Sequence, residues 1–483
     1  MTRINTNVSA MVARTNLGRT NTDLATRLQR LSTGLKINRG ADDPAGLIVS
    51  ERLRGEISSI GQAVDNIERA SNVIATTESA LQEINDLLVT IKGLTVEAAN
   101  TGAFSKDEIA ANQLQIDSAI DSITRISNTT SFAGLKLLNG SLDYLTSGVT
   151  ASQISDVSIK GANFGLNTSI PVTVEVLQSA EYASLFLSGN GTGTFSSAVS
   201  FEVQGNYGVQ TFNFASGTAL SSVVNAINQV SDATGVTAAL ASAADPTSGL
   251  TLTSLEFGSS EFVSVRKLSG GAFFDAYTAQ GGGAVNRDIG GDTLALINGN
   301  LAIGDGLDIS LNATTLNVEM TLTSGAAQTI NTPFSYSITG GGATYQIGPD
   351  INTLQQVGFG IQSVAATRLG NSTVGFLNEI VAGASNSLAN DVRGAADIVD
   401  TAIDQVSTLR GRIGAFERNT LDATLRSQQV SLENLTSAES SIRDTDFAEE
   451  TSNLTRAQIL QQAGTQTLAI ANNSAQSVLS LLG

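Results

Sequence analysis

The sequence contains no cysteine, no histidine and no tryptophan. Without cysteine there is no disulfide, no thiolate nucleophile and no sulfur-ligated metal. Without histidine the usual general base and the commonest metal ligand are gone. Paired carboxylates are what remains of the enzymatic repertoire, so the composition argues against an enzyme, a cofactor and a metal site. Basic residues are scarce as well: 26 Lys and Arg stand against 44 Asp and Glu, for a net charge of −18. A nucleic acid needs a basic footprint and an anionic membrane needs a polybasic patch, and the chain offers neither. Long apolar runs are also missing, so nothing is expected to insert in a membrane. The opening residues MTRINTNVSAMVARTNLGRT lack the apolar core of a signal peptide. Such a chain stays in the cytoplasm or leaves the cell by another route.

What the chain does have is distributed unevenly. At 483 residues it exceeds what one core usually serves, and at 41% hydrophobic and 14% charged it is not of disordered composition. Four of the five prolines (171, 246, 333 and 349) and 17 of the 23 Phe and Tyr residues lie between 161 and 367. The same stretch has three basic residues, Arg266, Lys267 and Arg287, against 14 acidic ones. It carries β-rich runs such as PVTVEVL (171–177), LTLTSLEF (250–257) and LNVEMTLT (316–323), separated by glycine-rich breaks such as SGNGTG (188–193). One helix is expected inside it, at ALSSVVNAINQV (219–230).

The flanks have a different period. Leu17, Asn21, Leu24, Leu28, Leu31 and Leu35 follow a 4-3-4-3-4 spacing, and Ile57, Ile60, Val64, Ile67, Ile74, Leu81, Ile84, Leu88 and Ile91 extend a stripe beyond Pro44. Ile109, Ile116, Ile120 and Ile123 suggest a third helix; near the other end come Val399, Ile403, Val406, Leu409, Ile413 and Phe416, then Leu421, Leu425, Leu432, Leu435 and Ile442, and finally Leu454, Ala457, Gln461, Gly464, Leu468, Ala471, Ala475, Val478 and Leu482. Heptad stripes bury a narrow seam against a partner helix. The fold class that follows is mixed, α+β and multidomain: a discontinuous α-helical coiled-coil or bundle core from both chain ends, with a central β-rich insertion. The two extreme ends have one helix each, and a lone pair of such helices is marginal in water. Their partners are expected to be copies from other molecules.

Between the first two stripes stands LSTGLKINRGADDPAGL (31–47). Gly34 and Gly40 offer backbone freedom, Asp42 and Asp43 can cap a new helix, and Pro44 suits its first turn. The stretch reads as helix stop, loop and helix start. Two adjacent carboxylates beside a proline are caps far more often than a metal site. GNGTG (189–193) and GDGLD (304–308) read as turns.

ADDPAGL after LSTGLKINRG, with the TTESALQEIND helix (76–86) following, resembles the N-terminal region of bacterial flagellin. SNLTRAQILQQAGTQTLAIANNSAQSVLSLLG (452–483) resembles its C-terminal region. More weakly, the stretch from 219 is similar to the IN motif of flagellins and hook-associated proteins, and TYQIGPDINTLQQVGFGIQSV (344–364) to the segment re-entering the helical core. The resemblance implies a secreted structural subunit, exported through the flagellar type III channel, that polymerises with itself into the extracellular flagellar filament used for motility. It implies an export chaperone, hook-associated proteins and a cap protein as further partners. It divides the chain into inner-tube helices (1–42 and 441–483, the latter with its spoke), a helical shell (43–165 and 369–440) and a surface-exposed variable insert (166–368). The break at Gly34, Gly40, Asp42, Asp43 and Pro44 becomes a spoke between tube and shell. The assembly seam becomes Leu17, Leu24, Leu28, Leu31, Leu35, Leu454, Ala457, Gly464, Leu468, Ala471, Ala475, Val478 and Leu482.

The chain departs from the family in two places. Ala475 and Gly483 stand where proline and arginine are common. VTIKGLTVE (89–97) aligns with the immune-receptor patch that in stimulatory members resembles QRVRELAVQ. In this altered patch of Val89, Thr90, Lys92, Gly93 and Leu94, the residues Val89, Thr90 and Gly93 replace a Gln, an Arg and a Glu, while Leu94 and Val96 remain. Losing a guanidinium removes bidentate pairing. Two other readings stand beside the filament subunit. One is a hook–filament junction protein. The other is an appendage-borne metalloprotease, which the absence of histidine opposes.

Overall fold

The computed structural model describes all residues except 1–5, 166, 189–192, 243–244, 246, 271–274, 314 and 480–483, together with the side chains of 474–479. Nine α-helices are described: α1 Val8–Thr33, α2 Pro44–Ala98, α3 Lys106–Thr129, α4 Leu220–Asn228, α5 Ser231–Thr234, α6 Ser324–Ala327, α7 Val392–Phe416, α8 Asp422–Arg443 and α9 Phe447–Leu479. The chain divides into two compact units. One comprises residues 1–69, 346–351 and 418–483, and the other 70–345 and 352–417.

The first unit is built on α1, the beginning of α2, α8 and α9. α1 and α9 pack along their lengths. α8 is tied to α2 by an ion pair between Arg443 and Glu51, 2.8 Å apart. None of the side chains of α8 is buried; Leu425, Leu432 and Leu435 are half-buried and Val430 is exposed.

In the second unit, the rest of α2 buries Ile74, Leu81, Ile84, Leu88 and Ile91 completely. α3 buries Ile116, Ile120 and Ile123, and α7 buries Ile398, Val399, Ala402 and Val406. The spacings are mostly three, four and seven residues, the signature of one covered helix face. α3 opens with a capping box in which Ser105 and Glu108 satisfy each other's backbone N–H groups. Arg410 of α7 forks onto Glu78 of α2 at 2.8 and 2.9 Å. At its C-terminal end α7 runs into a π-helical turn, Glu417–Leu421.

The strands of this unit form two separate cores. The first lies between a five-stranded sheet, in spatial order Asn300–Leu301, Leu294–Ile297, Ile170–Gln178, Phe334–Gly341 and Tyr144–Ser147, and a four-stranded one, in order Ile303–Asp305, Asp308–Asn312, Leu316–Leu322 and Ile154–Ala162. Val172, Val174 and Val176 from one sheet meet Val318, Met320 and Leu322 from the other. The alternation in PVTVEVL and LNVEMTL thus maps onto buried and open faces, as the strand period of two requires. The second core joins two four-stranded sheets with α4, whose Leu220, Val223 and Ile227 face Phe201, Val203, Leu250 and Leu252. Tyr144–Ser147 and Ile154–Ala162 show that strands begin ahead of residue 166. Residues 369–390 form short pairs and turns rather than helix, which starts at Val392. The re-entering segment places Phe359 and Tyr345 against Phe416 of α7, with ring centroids 4.7 and 6.0 Å apart.

Candidate assembly interface

α1 begins where Asn7 accepts the Ala10 N–H at 3.0 Å, an N-cap that satisfies one of the free donors of the first turn. The Asn7 amide then donates across to the Ala471 carbonyl at 2.8 Å. Gln461 donates to Asn21 at 2.9 Å, and Arg27 meets Glu450 at 3.0 Å. Rising numbers on α1 therefore meet falling numbers on α9, so the two helices run antiparallel. On α9 the residues withdrawn from solvent are Glu450, Asn453, Leu454, Ala457, Gln461, Gly464, Leu468 and Ala471, and all but the first two belong to the heptad stripe. Small residues let the backbones approach: a Cβ on Gly464 would stand 3.2 Å from Leu17 Cδ1.

On α1 the heptad positions Ala13, Leu17, Thr20, Leu24, Arg27 and Leu31 are all withdrawn from solvent, and Ala10, Thr26, Gln29 and Arg30 are half-buried beside them. Leu17, Leu24 and Leu31 thus lie on this face, whereas Leu28 does not and is 51% exposed. Leu35 lies past the helix end. Two heptad phases share the same three leucines, and spacing alone prefers the phase with Leu28 because leucine outranks arginine in a seam. The chain takes the other phase, in which the Arg27 guanidinium reaches Glu450. The seam expected to wait for sister molecules is therefore closed within the chain. The side chains of Ala475 and Val478, and Leu482 altogether, lie outside the described residues.

The break after α1 is held by a second set of cross-chain contacts. Gly34 adopts a left-handed φ of 73° and closes the helix by donating to the Arg30 carbonyl. Leu35 and Asp444 then pair as an antiparallel bridge, flanked by Lys36 N–H donating to the Arg443 carbonyl at 2.7 Å and Thr445 N–H donating to the Gly34 carbonyl at 2.9 Å. Asp43 caps α2 by accepting the Gly46 N–H at 2.9 Å, with Pro44 as its first residue. Asp42 does something else: its carboxylate accepts the N–H groups of Arg39 at 2.9 Å and Asn38 at 3.0 Å, which closes the loop. Gly40 has an ordinary φ and room for a side chain. The demanding glycine is Gly46, where a Cβ would fall 2.6 Å from Asp43 Oδ2 and 2.8 Å from Cδ1 of the buried Ile37. Neither Ile37 nor Gly46 carries a periodic signal that singles it out.

The Arg39 and Asn38 N–H groups hold the Asp42 carboxyl below its ordinary pKa. A depressed folded value means that loop stabilisation is present at neutral pH and is lost as pH falls through that value. Hydrogen exchange at the Asn38 and Arg39 amides should therefore accelerate on acidification, beyond the intrinsic pH dependence of the chemistry. Asp42→Asn should abolish that excess, and an unchanged profile would contradict the assignment.

Away from the seam, the α1–α9 pair turns large apolar side chains to solvent. Val8, Met11, Val12 and Leu28 are more than half exposed on α1, and Ile459, Leu460 and Ile470 on α9. In α2, Val89, Thr90, Lys92 and Gly93 are exposed and Leu94 is half-buried. The Thr90 hydroxyl donates to the Asp86 carbonyl at 2.9 Å, and Lys92 pairs with Asp400 at 2.5 Å. Among the described residues no group of three acidic side chains could hold a metal ion, and no helix is long and apolar enough to cross a membrane.

Three family models match the chain: the bacterial flagellin N-terminal helical region over residues 4–143, the C-terminal helical region over 396–482 and the flagellin hook IN motif over 199–256. The chain is 28% identical to the B-type flagellin of Pseudomonas aeruginosa, to flagellin A of Helicobacter pylori and to the flagellin of Salmonella typhimurium. In each case the match covers 99% of both proteins.

Proposed function

Because the chain belongs to the bacterial flagellins, and is thus a non-enzymatic structural subunit that polymerises into the extracellular flagellar filament for motility, we propose that its outward apolar helix faces carry the subunit contacts. The observation behind this reading is the row of exposed aliphatic side chains on a helix pair whose inner seam is already filled: Met11, Val12, Leu28, Ile459, Leu460 and Ile470. Burying one such side chain is worth about 1.5–3 kcal/mol, against less than about 1 kcal/mol for an exposed ion pair. Apolar faces therefore dominate the association. A head-to-tail contact that does not close on itself propagates as an open helix, which is a filament.

Within that filament, residues 1–42 and 441–483 serve as the inner tube, 43–165 and 369–440 as the shell, whose helical parts are α2, α3, α7 and α8, and 166–368 as the surface insert. The Gly34–Pro44 loop and the segment around Asp444 act as spokes. The same exposed helix faces suit an export chaperone before assembly, and hook-associated and cap proteins at the filament ends. With Thr90 and Gly93 in place of charged residues, α2 makes a poor ligand for the flagellin-sensing immune receptor. Purified chain added to short filament seeds should elongate them into fibres, seen by sedimentation and electron microscopy. A chain that stays soluble at every concentration with active seeds would overturn the reading.

A further inference from the structure

The seam between α1 and α9 has a defect in its own terms. Leu17, Leu24 and Leu31 repeat every seven residues on α1, and α9 answers with the small Ala457, Gly464 and Ala471, also seven apart. A ladder with that regularity fits itself equally well after sliding by one heptad, since each leucine would meet the next small residue along. Apolar packing therefore leaves the register open.

The polar residues of the seam break the degeneracy, and one pair is unlike the rest. Arg27 occupies a seam position where leucine would pack better, and its Nη1 meets Glu450 Oε2 at 3.0 Å. Glu450 is only 5% exposed, and its second oxygen, Oε1, is buried without a hydrogen-bond partner. A half-satisfied buried carboxylate is a poor source of stability. What a buried ion pair does supply is discrimination, because every slipped register separates the charges and leaves the buried Glu450 uncompensated, while Arg27 keeps only Asp23 on its own helix, 3.2 Å from its Nε. We propose that Arg27 and Glu450 are the register-determining residues of the α1–α9 pair, and that by claiming the seam for Arg27 they hold α1 in the phase that turns Leu28 outward. This rests on the reading of Leu28 as a subunit contact only for its relevance to growth; the register itself is a property of one chain.

The absence of native cysteine makes the register directly readable. A Cβ on Gly464 lies 3.8 Å from Leu17 Cβ, the usual span across a disulfide. Leu17→Cys with Gly464→Cys should therefore cross-link within the chain, both in soluble protein and in pelleted filaments. The slipped reporter, Leu24→Cys with Gly464→Cys, should give only traces. Adding Arg27→Leu should raise the ratio of slipped to native cross-link by about tenfold or more, despite the more apolar seam. Combining Arg27→Glu with Glu450→Arg should restore the native ratio that each single reversal loses.

An unchanged ratio with Arg27→Leu would overturn the proposal. So would loss of both cross-links together, which would mean that the pair stabilises the helices without choosing their register. Failure of the charge exchange to rescue would do the same. If instead the double-cysteine chain cross-links natively while the unsubstituted chain fails to polymerise, the assembly reading falls and the register assignment stands.

Discussion

Leu28→Asp leaves the α1–α9 pair folded and abolishes filament growth, whereas Leu468→Asp loses both. The two leucines were equivalent members of the heptad stripes, and the structure separates them. Leu28 is 51% exposed and faces away from α9, so an aspartate there stays hydrated in the single chain and costs little. In the polymer the same carboxylate would have to be buried against a neighbour, unpaired, at several times the roughly 1.5–3 kcal/mol that the leucine contributed. Leu468 lies on the inner seam between the small residues Gly464 and Ala471. A charge at that position opposes the helix pairing itself by about 3 kcal/mol, more than a two-helix segment can lose. Helical content by circular dichroism and the native Leu17–Gly464 cross-link report the pair, and sedimentation onto seeds reports growth. Normal filaments from Leu28→Asp would remove that residue from the contact, and an intact cross-link in Leu468→Asp would remove the seam.

The second large effect falls in the β-rich region and leaves assembly alone. Phe201 is fully buried in the second strand core, with its ring 5.7 Å from that of Phe212 and 5.9 Å from that of Phe214. Phe201→Ala opens a cavity that neighbouring strands, already paired in register, can fill only in part, and costs about 3–5 kcal/mol. The melting transition of that core should fall by about 10 °C or more in calorimetry. Seeded growth should be unaffected, because the polymer contacts draw on the terminal helices. Loss of growth with an intact terminal cross-link would place a subunit contact in the insert.

Legibility in the sequence followed the range of the forces at work. Isoleucines at 116, 120 and 123 report their buried face unaided, because helix period and burial are set within a few residues. The same holds for PVTVEVL, for α4 inside the β region, and for Asp43 with Pro44 at the start of α2. The phase of α1 was not legible, because Glu450, which draws Arg27 inward, stands 423 residues away. Gly46 escaped notice for a similar reason: its need for a bare Cα comes from Ile37, brought back by the loop. Nor did anything local announce that the β-rich region splits into two cores. That division depends on pairings such as Leu316–Leu322 with Ile154–Ala162, which join segments more than 150 residues apart.

Asn7 finds its hydrogen-bond acceptor 464 residues downstream, and the strap at Gly34 closes on Thr445. A ribosome delivers the first helix at the outset and its mate last of all, so throughout synthesis the leading segment has nothing to zip against. Premature closure, and with it stray growth inside the cell, is deferred by the order of translation alone until the polypeptide is complete.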